Sequence, residues 1–342
     1  MRRLTCLALA LAAVLCLTAC GGARTETLDI FAMDTYMSLV AIGDGAAEVL
    51  QSASGEINEL ERKLSRTIDT SDVARLNAEG SAALDADTAA LLRAALGYSE
   101  ATGGAFDVTI APVVSLWGIT TDSPRVPEQE EIDAVLPLVG SGHVRLEGDT
   151  AAVDVGCAID LGGIGKGYAS DKVAALFEGS GISGGFVSLG GNVYVHGVTA
   201  EGKLWNVAIQ DPADTERFAC MLHLSDAFVV TSGGYQRYFT GPDGTVYPHI
   251  IDPATGYPAE KGLLSVSIIT RRENGGSGTM ADAYSTALYV VGETEAVDFW
   301  RQQADFDMVL VTEDGRVLYT PGLQDCFEKT EGSGYDYQLL TA

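Results

Sequence analysis

The order of helices and strands constrains this fold more than any other feature of the chain. Helical runs dominate the first half. After residue 180 the sequence breaks into short extended runs divided by glycines and turn residues, at 185–189, 192–197, 204–210, 218–224, 227–231, 246–251 and 264–269, with a hairpin 307–312/316–320 turning at Glu313-Asp314-Gly315. Residues 46–64 read as a helix with Val49, Ile57, Leu60 and Leu64 on one face, and 86–101 as a second started by Asp85 or Asp87. Further helices are expected at 127–137, from the glycines near 165 to about 178, at 279–291 and at 293–303. Residues 29–42 read as one opening strand, 106–112 as an extended piece, and 143–147/151–155 as a hairpin around Gly148-Asp149. Strands and helices do not alternate regularly, which excludes a βαβ repeat. The pattern predicts an α+β fold, a mixed, mainly antiparallel sheet core with flanking helices.

The N-terminus reads as a leader. Arg2 and Arg3 precede an apolar run, Leu7 to Leu17, too short for a comfortable bilayer span. Leu17-Thr18-Ala19-Cys20 then has the form of a bacterial lipobox. The expected organisation is a lipoprotein signal peptide over 1–19, a lipidated tether over 20–27 and one domain over 28–342. Lipid on Cys20 would anchor the chain to the membrane at its extracytoplasmic face without a spanning helix. Acids outnumber bases 47 to 21, a formal charge of −26. Phosphate-rich partners are repelled by such a surface, so nucleic acid is excluded. Beyond Cys20 remain Cys157, Cys220 and Cys326, without CxxC spacing. They give no zinc site and at most one disulfide, whose partners stay open.

Six segments can carry chemistry. In 160–172, DLGGIGKGYASDK, glycines before a helix let backbone N–H groups approach a phosphate, and Lys166 adds a point charge. Gly167 stands where a Walker loop needs Ser or Thr, so that motif is excluded. In 275–290, Asp282, Ser285 and Thr286 share one helical face and form a hard-oxygen set suited to Mg²⁺. Taken alone, the same stretch reads as a solvent-facing polar stripe with Thr279 as N-cap. Phe106 and Asp107 follow two glycines and can place an aromatic plane and a carboxylate near a ligand, while Trp117 reads as core. Met33 can cover an aromatic ring. Residues 229–239, VVTSGGYQRYF, read as a strand meeting a glycine turn. In 247–258, YPHIIDPATGYP, His249 sits where a strand runs into an Asp-Pro turn. It reads locally as turn architecture or as a general base at a strand's end.

In order, these segments resemble the ApbE family of FAD:protein FMN transferases. The resemblance runs from about Phe31 to Gly292. It is carried by Met33-Asp34-Thr35, by Ser65, Ser71 and Leu76-Asn77, by Thr102 to Asp107 with Pro112 and Trp117-Gly118, and by Asp160 to Tyr168 with Asp171. Leu189 to Asn192, Thr231-Ser232-Gly233 with Tyr235, His249 to Gly256, and Ala281-Asp282 with Ser285-Thr286 complete it. Two positions depart from the pattern: Asp34 replaces a frequent Gly, and Thr67 stands where an aromatic often follows. The resemblance implies transfer of FMN from FAD to a Thr or Ser hydroxyl of a flavoprotein, with release of AMP. It implies Mg²⁺ held by Asp282, Thr286, Ser285 and the Gly163 carbonyl. Met33, Ala105, Phe106, Asp107, Asp160, Lys166 and Ile251 match FAD-contacting positions, and His249 matches the histidine of the transfer chemistry. The alternatives are an FAD pyrophosphatase giving FMN and AMP, and a flavin-binding lipoprotein without turnover.

Overall fold

The computed structural model describes residues 24–303 and 305–341. The expected leader and Cys20 lie outside these residues. The chain opens on a hairpin, β1 (Thr25–Ala32) and β2 (Thr35–Ile42), followed by α1 (Ala46–Leu64), α2 (Asp72–Glu79), β3 (Ser81–Ala83) and α3 (Ala86–Ala101). Then come α4 (Ala111–Trp117), α5 (Gln129–Val135), β4 (Val144–Glu147), β5 (Thr150–Val153) and α6 (Gly165–Ser180). A strand-rich stretch follows: β6 (Gly184–Leu189), β7 (Asn192–Gly197), β8 (Trp205–Asp211), β9 (Asp214–Leu224), β10 (Ala227–Gly233), β11 (Tyr238–Thr240), β12 (Val246–Pro248) and β13 (Leu263–Arg271). The chain closes with α7 (Gly278–Val291), α8 (Glu293–Gln303), β14 (Asp307–Thr312), β15 (Arg316–Tyr319), β16 (Phe327–Lys329) and β17 (Asp336–Leu339).

Nine strands form the main sheet in the order β1-β2-β6-β7-β10-β13-β14-β15-β17. Every pair is antiparallel except β15 and β17. The expected α+β class with a mixed, mainly antiparallel sheet is therefore what the chain adopts. Helices cover one face. α1 buries Val49, Leu50, Ala53, Ile57, Leu60 and Leu64, the three-to-four spacing that puts them on one stripe against β1, β2 and α6. On the other face, β8 and β9 pair with β16 as a separate ribbon. Val207, Ile209 and Leu222 of the ribbon pack in one core with Val195, Val229 and Val309 of the sheet. The central strand β13 is thus covered on both sides, and its run LLSVSIITR is buried almost throughout.

Several local expectations change. The opening extended run is two strands, divided at Met33 and Asp34, which both adopt left-handed backbone (φ 50° and 55°). Two positive φ values between paired strands make the tight primed turn that suits sheet twist, and Asp tolerates it better than most non-glycine residues. β1 already begins at Thr25, so the end of the expected tether is sheet. Most of the piece expected to be extended over 106–112 is helical: after Asp107, a 3₁₀ turn at Val108–Ile110 leads into α4, with Pro112 in its first turn, where no backbone N–H is required. Ser277, not Thr279, caps α7, accepting the Met280 N–H. The strand expected over 246–251 stops at Pro248, because the Asp252 turn bends the chain away. Cys157, Cys220 and Cys326 are free thiols.

Candidate active site

One cleft of about 1010 Å³ gathers most of the chemically notable segments. Met33 to Thr35, Ala105 to Asp107, Asp160 to Gly163, Lys166, Gly190-Gly191, Thr231, Arg237, His249 to Ile251 and Thr286 all line it. Asp282 and Ser285 lie behind this wall, on the inner side of α7.

The glycine turn is built around Asp160. Its Oδ1 accepts the Gly162 N–H at 2.8 Å, and its Oδ2 pairs with Arg66 Nε at 3.2 Å. The turn delivers the chain into α6, whose first residues face the cleft. Gly163 lies against the Phe106 ring, where a Cβ would come within 3.4 Å of the ring edge. Lys166 Nζ donates to the Gly190 carbonyl at 3.3 Å, holding the ammonium at the cleft wall. Asp107 lines the cleft as expected of a ligand-contacting residue, and its carboxylate is also engaged by its own neighbours. Its buried carboxylate accepts from Ser99 Oγ at 3.0 Å, Thr109 N at 2.8 Å and Thr109 Oγ1 at 2.6 Å. It therefore fixes the turn that presents Ala105 and Phe106.

The polar face of α7 is buried, because α6 packs directly upon it. Asp282 is 4 % exposed and Ser285 fully buried. Gly167 N donates to Asp282 Oδ2 at 2.8 Å, and a Cβ on Gly167 would lie 2.3 Å from the Gly278 carbonyl. Only glycine permits this approach of two helix backbones. Asp171 of α6 clamps the start of α7, accepting from Ser277 Oγ at 2.8 Å, Gly278 N at 2.7 Å, Thr279 N at 3.0 Å and Thr279 Oγ1 at 2.5 Å. Ser232 of β10 bonds both hydroxyls of the neighbouring turn, Ser285 at 2.8 Å and Thr286 at 3.3 Å. Burial raises the Asp282 carboxyl above its ordinary range, opposed by Lys166 and by the Gly167 N–H. Asn192 also favours the ionised form, yet its buried Nδ2 completes no hydrogen bond, so it is near the carboxylate without bonding geometry. A buried carboxylate beside hydroxyls on the next turn is a donor set of hard oxygens, and these residues fit a magnesium ion. Among the described residues no cluster of three or more His, Cys, Asp or Glu forms a metal site. Hydroxyls, carbonyls and substrate oxygens would have to supply what carboxylates do not.

His249 follows β12, and the aromatic cluster beneath it sets its place. Phe239 and Tyr247 stack at 5.2 Å, Tyr247 meets Trp117 at 5.3 Å, and Trp117 Nε1 donates to the Gly256 carbonyl at 2.8 Å. Gly256 takes φ +73°, and a Cβ there would strike Ile132 at 2.7 Å. Trp117 is core, as expected, and it also ties the Asp-Pro turn to α4. The imidazole Nδ1 lies 3.0 Å from the Arg237 carbonyl, which can only accept. Nδ1 therefore carries the proton, and Nε2 is left as a free acceptor. Burial lowers the His249 pKa to about 4, with Lys166 and Arg237 pushing the same way and the Arg237 carbonyl opposing. The ring is partly open to the cleft, with protein packed around the rest of it.

Two contributors escaped the sequence. Arg237 lines the cleft, holds His249 through its carbonyl and donates from its guanidinium to the Asp34 carbonyl at 2.7 Å. Glu61, on α1, accepts the Met33 N–H at 2.7 Å and so props the hairpin turn. The available signal was scarcity: with 21 lysines and arginines in 342 residues, an arginine three positions after the Gly233-Gly234 pair is a candidate for a role beyond surface charge.

A flavin-sized cleft with a cationic glycine turn, a neutral imidazole and an oxygen-rich helix defines a phosphoryl-transfer site on an α+β scaffold. The chain belongs to the ApbE family, which it matches over residues 33–310. It is 34% identical over 303 residues to an FAD:protein FMN transferase of Treponema pallidum, covering 82% of each chain. It is 32% identical over 267 residues to one of Vibrio cholerae, covering 76% of this chain and 78% of that one. Among solved structures, the ApbE protein of Thermotoga maritima superposes with a TM-score of 0.79 at 31% identity, covering 90% of this chain and 97% of its own. The apo flavinyl transferase ApbE of Pseudomonas stutzeri gives 0.76 at 26%, covering 92% and 96%.

Proposed function

We propose that this protein moves the FMN half of FAD onto a threonine or serine hydroxyl of an acceptor flavoprotein, releasing AMP. The observation that supports it best is the meeting of Lys166, the glycine turn, Thr286 and His249 on one cleft. Phosphoryl transfer asks a protein mainly for positioning and charge stabilisation. Lys166 supplies fixed positive potential for the diphosphate. The acceptor oxygen bonds to the FMN phosphorus, the bond to the AMP phosphate breaks, and its electron pair leaves with AMP. The hydroxyl proton passes to His249 Nε2, which a pKa near 4 keeps unprotonated at neutral pH. Asp282 and Thr286, with Ser285 and the Gly163 carbonyl, would hold magnesium, which when bound offsets charge on the diphosphate and the departing AMP.

The reading extends to place. Arg2-Arg3, the apolar run and Leu17-Thr18-Ala19-Cys20 support a lipid anchor on the outer face of the cytoplasmic membrane, where membrane-associated flavoproteins would be acceptors. The test is incubation of the detergent-purified chain with FAD, magnesium and flavoprotein domains. The expected result is a covalent phosphoriboflavin adduct on the acceptor, equimolar AMP, and loss of both with a chelator. Rapid AMP and FMN release with no adduct on any acceptor would establish the pyrophosphatase instead.

A further inference from the structure

Nine large apolar or aromatic side chains stand exposed among the described residues, and four sit on the two hairpins bordering the cleft: Phe31, Tyr36, Tyr238 and Val246. Phe31 and Tyr36 are direct cross-strand partners, 71% and 63% exposed, so their side chains share one face. The turn joining their strands lines the cleft. Tyr238 follows Arg237, and Val246 begins the strand that ends beside His249. The Arg237 bond to the Asp34 carbonyl joins the two hairpins at the cleft's mouth.

β1 is also the first strand of the nine-stranded sheet, and among the described residues nothing pairs with its outer edge. Such edges are ordinarily blunted by charged side chains, lysine above all, by proline or by a bulge. TETLDIFA contains no lysine or proline, its charges are the acids Glu26 and Asp29, and its register with β2 runs unbroken from Thr25↔Ile42 to Ala32↔Thr35. An eight-residue free edge therefore leads straight to the catalytic cleft.

The transfer reaction requires a polypeptide to bring its hydroxyl to His249 across this mouth. We infer that the acceptor docks as an extended segment along the free edge of β1, seated on Phe31 and Tyr36, and passes its hydroxyl over the Met33–Asp34 turn. This rests on the transferase reading above. Main-chain pairing gives affinity that depends little on sequence, and the two rings select apolar side chains in the segment. Glu26 and Asp29 on β1, in a chain of charge −26, favour a neutral or basic segment over an acidic one.

The experiment uses the full chain and a flavoprotein domain that the wild type labels. The double variant Phe31→Asp/Tyr36→Asp is expected to raise the acceptor KM about tenfold or more, the scale of losing two anchoring side chains. FAD affinity and the rate at saturating acceptor stay unchanged. Leu339→Asp, an exposed site on β17 at the opposite end of the sheet, leaves the acceptor KM alone. In the wild type, hydrogen exchange of the 25–32 amides slows when the acceptor domain is added. An unchanged KM in the double variant, or unslowed exchange at 25–32, overturns the inference. Slowing that appears without acceptor and grows with enzyme concentration assigns the edge to a second copy of the chain and overturns it too. Failure of the wild type to label any acceptor is a separate result and refutes the transferase reading itself.

Discussion

Gly167→Ala isolates the contact on which the oxygen-rich helix depends. An alanine Cβ there would lie 2.3 Å from the Gly278 carbonyl oxygen and 2.7 Å from Asp282 Cβ. Carbon–oxygen contact is comfortable near ~3.4 Å, so α6 and α7 must part by about 1 Å, with no flexible side-chain end to yield. Overpacking of this kind destabilises by about 1–3 kcal/mol. Stretching the Gly167 N–H bond to a buried carboxylate adds about 1.5–3 kcal/mol. The expected sum, roughly 2.5–6 kcal/mol, lowers the melting midpoint by about 4–9 °C in a chain of this size. Gly97→Ala is the matched comparison. Gly97 lies inside α3, and a Cβ added there would meet nothing within 4 Å, so alanine should stabilise by about 0.5–1 kcal/mol. Helix propensity alone gives both substitutions the same sign. Urea unfolding followed by circular dichroism separates the cases, and equal midpoints for the two variants would refute the steric reasoning.

Other outcomes follow from the same geometry. The His249 pKa near 4 lies below the unfolded value of about 6.5, so between those pH values the unfolded chain binds a proton the folded chain refuses. Wild-type stability should therefore fall relative to His249→Gln as pH drops through that window and run parallel above it, as urea midpoints would record; parallel curves throughout would reject the shift. Asp171→Ala removes the acceptor for four donors at the start of α7 and should destabilise by about 2–4 kcal/mol, an unchanged unfolding midpoint being the contrary result. Trp117→Phe keeps most of the packing but loses the bond to the Gly256 carbonyl, so about 1–2 kcal/mol should go, with faster hydrogen exchange at 252–257; unaltered exchange would count against the tie.

The sequence displayed what local chemistry decides and hid what distant partners decide. α1 and α3 were legible because apolar spacing and Asp85 specify them within their own windows. The hairpin at 148–149 was legible for the same reason. Met33–Asp34 was not, because two non-glycine residues with positive φ are held there by Glu61 and Arg237, which stand 28 and 203 positions away from their partners. The α7 face read locally as a solvent stripe because its partners, Gly167 and Ser232, lie 115 and 53 residues from the side chains they meet. Asp107 was legible as important, but its three internal donors, which make it a brace, depend on how Ser99 and Thr109 fold around it. β17 depends on parallel pairing with β15, a register that the tail's own residues do not announce.

The solitary carboxylate on α7 has a consequence for the order of events. Asp282 brings one negative charge, and its neighbours Ser285 and Thr286 bring only dipoles. Such a seat grips a bare divalent ion weakly in water and tightens when a diphosphate adds its own charge and oxygens. On the proposed reading, Asp282, Ser285 and Thr286 would hold an ion only in company with the oxygens of a diphosphate, so their hold would be firmest while the dinucleotide is bound and weakest once AMP has gone.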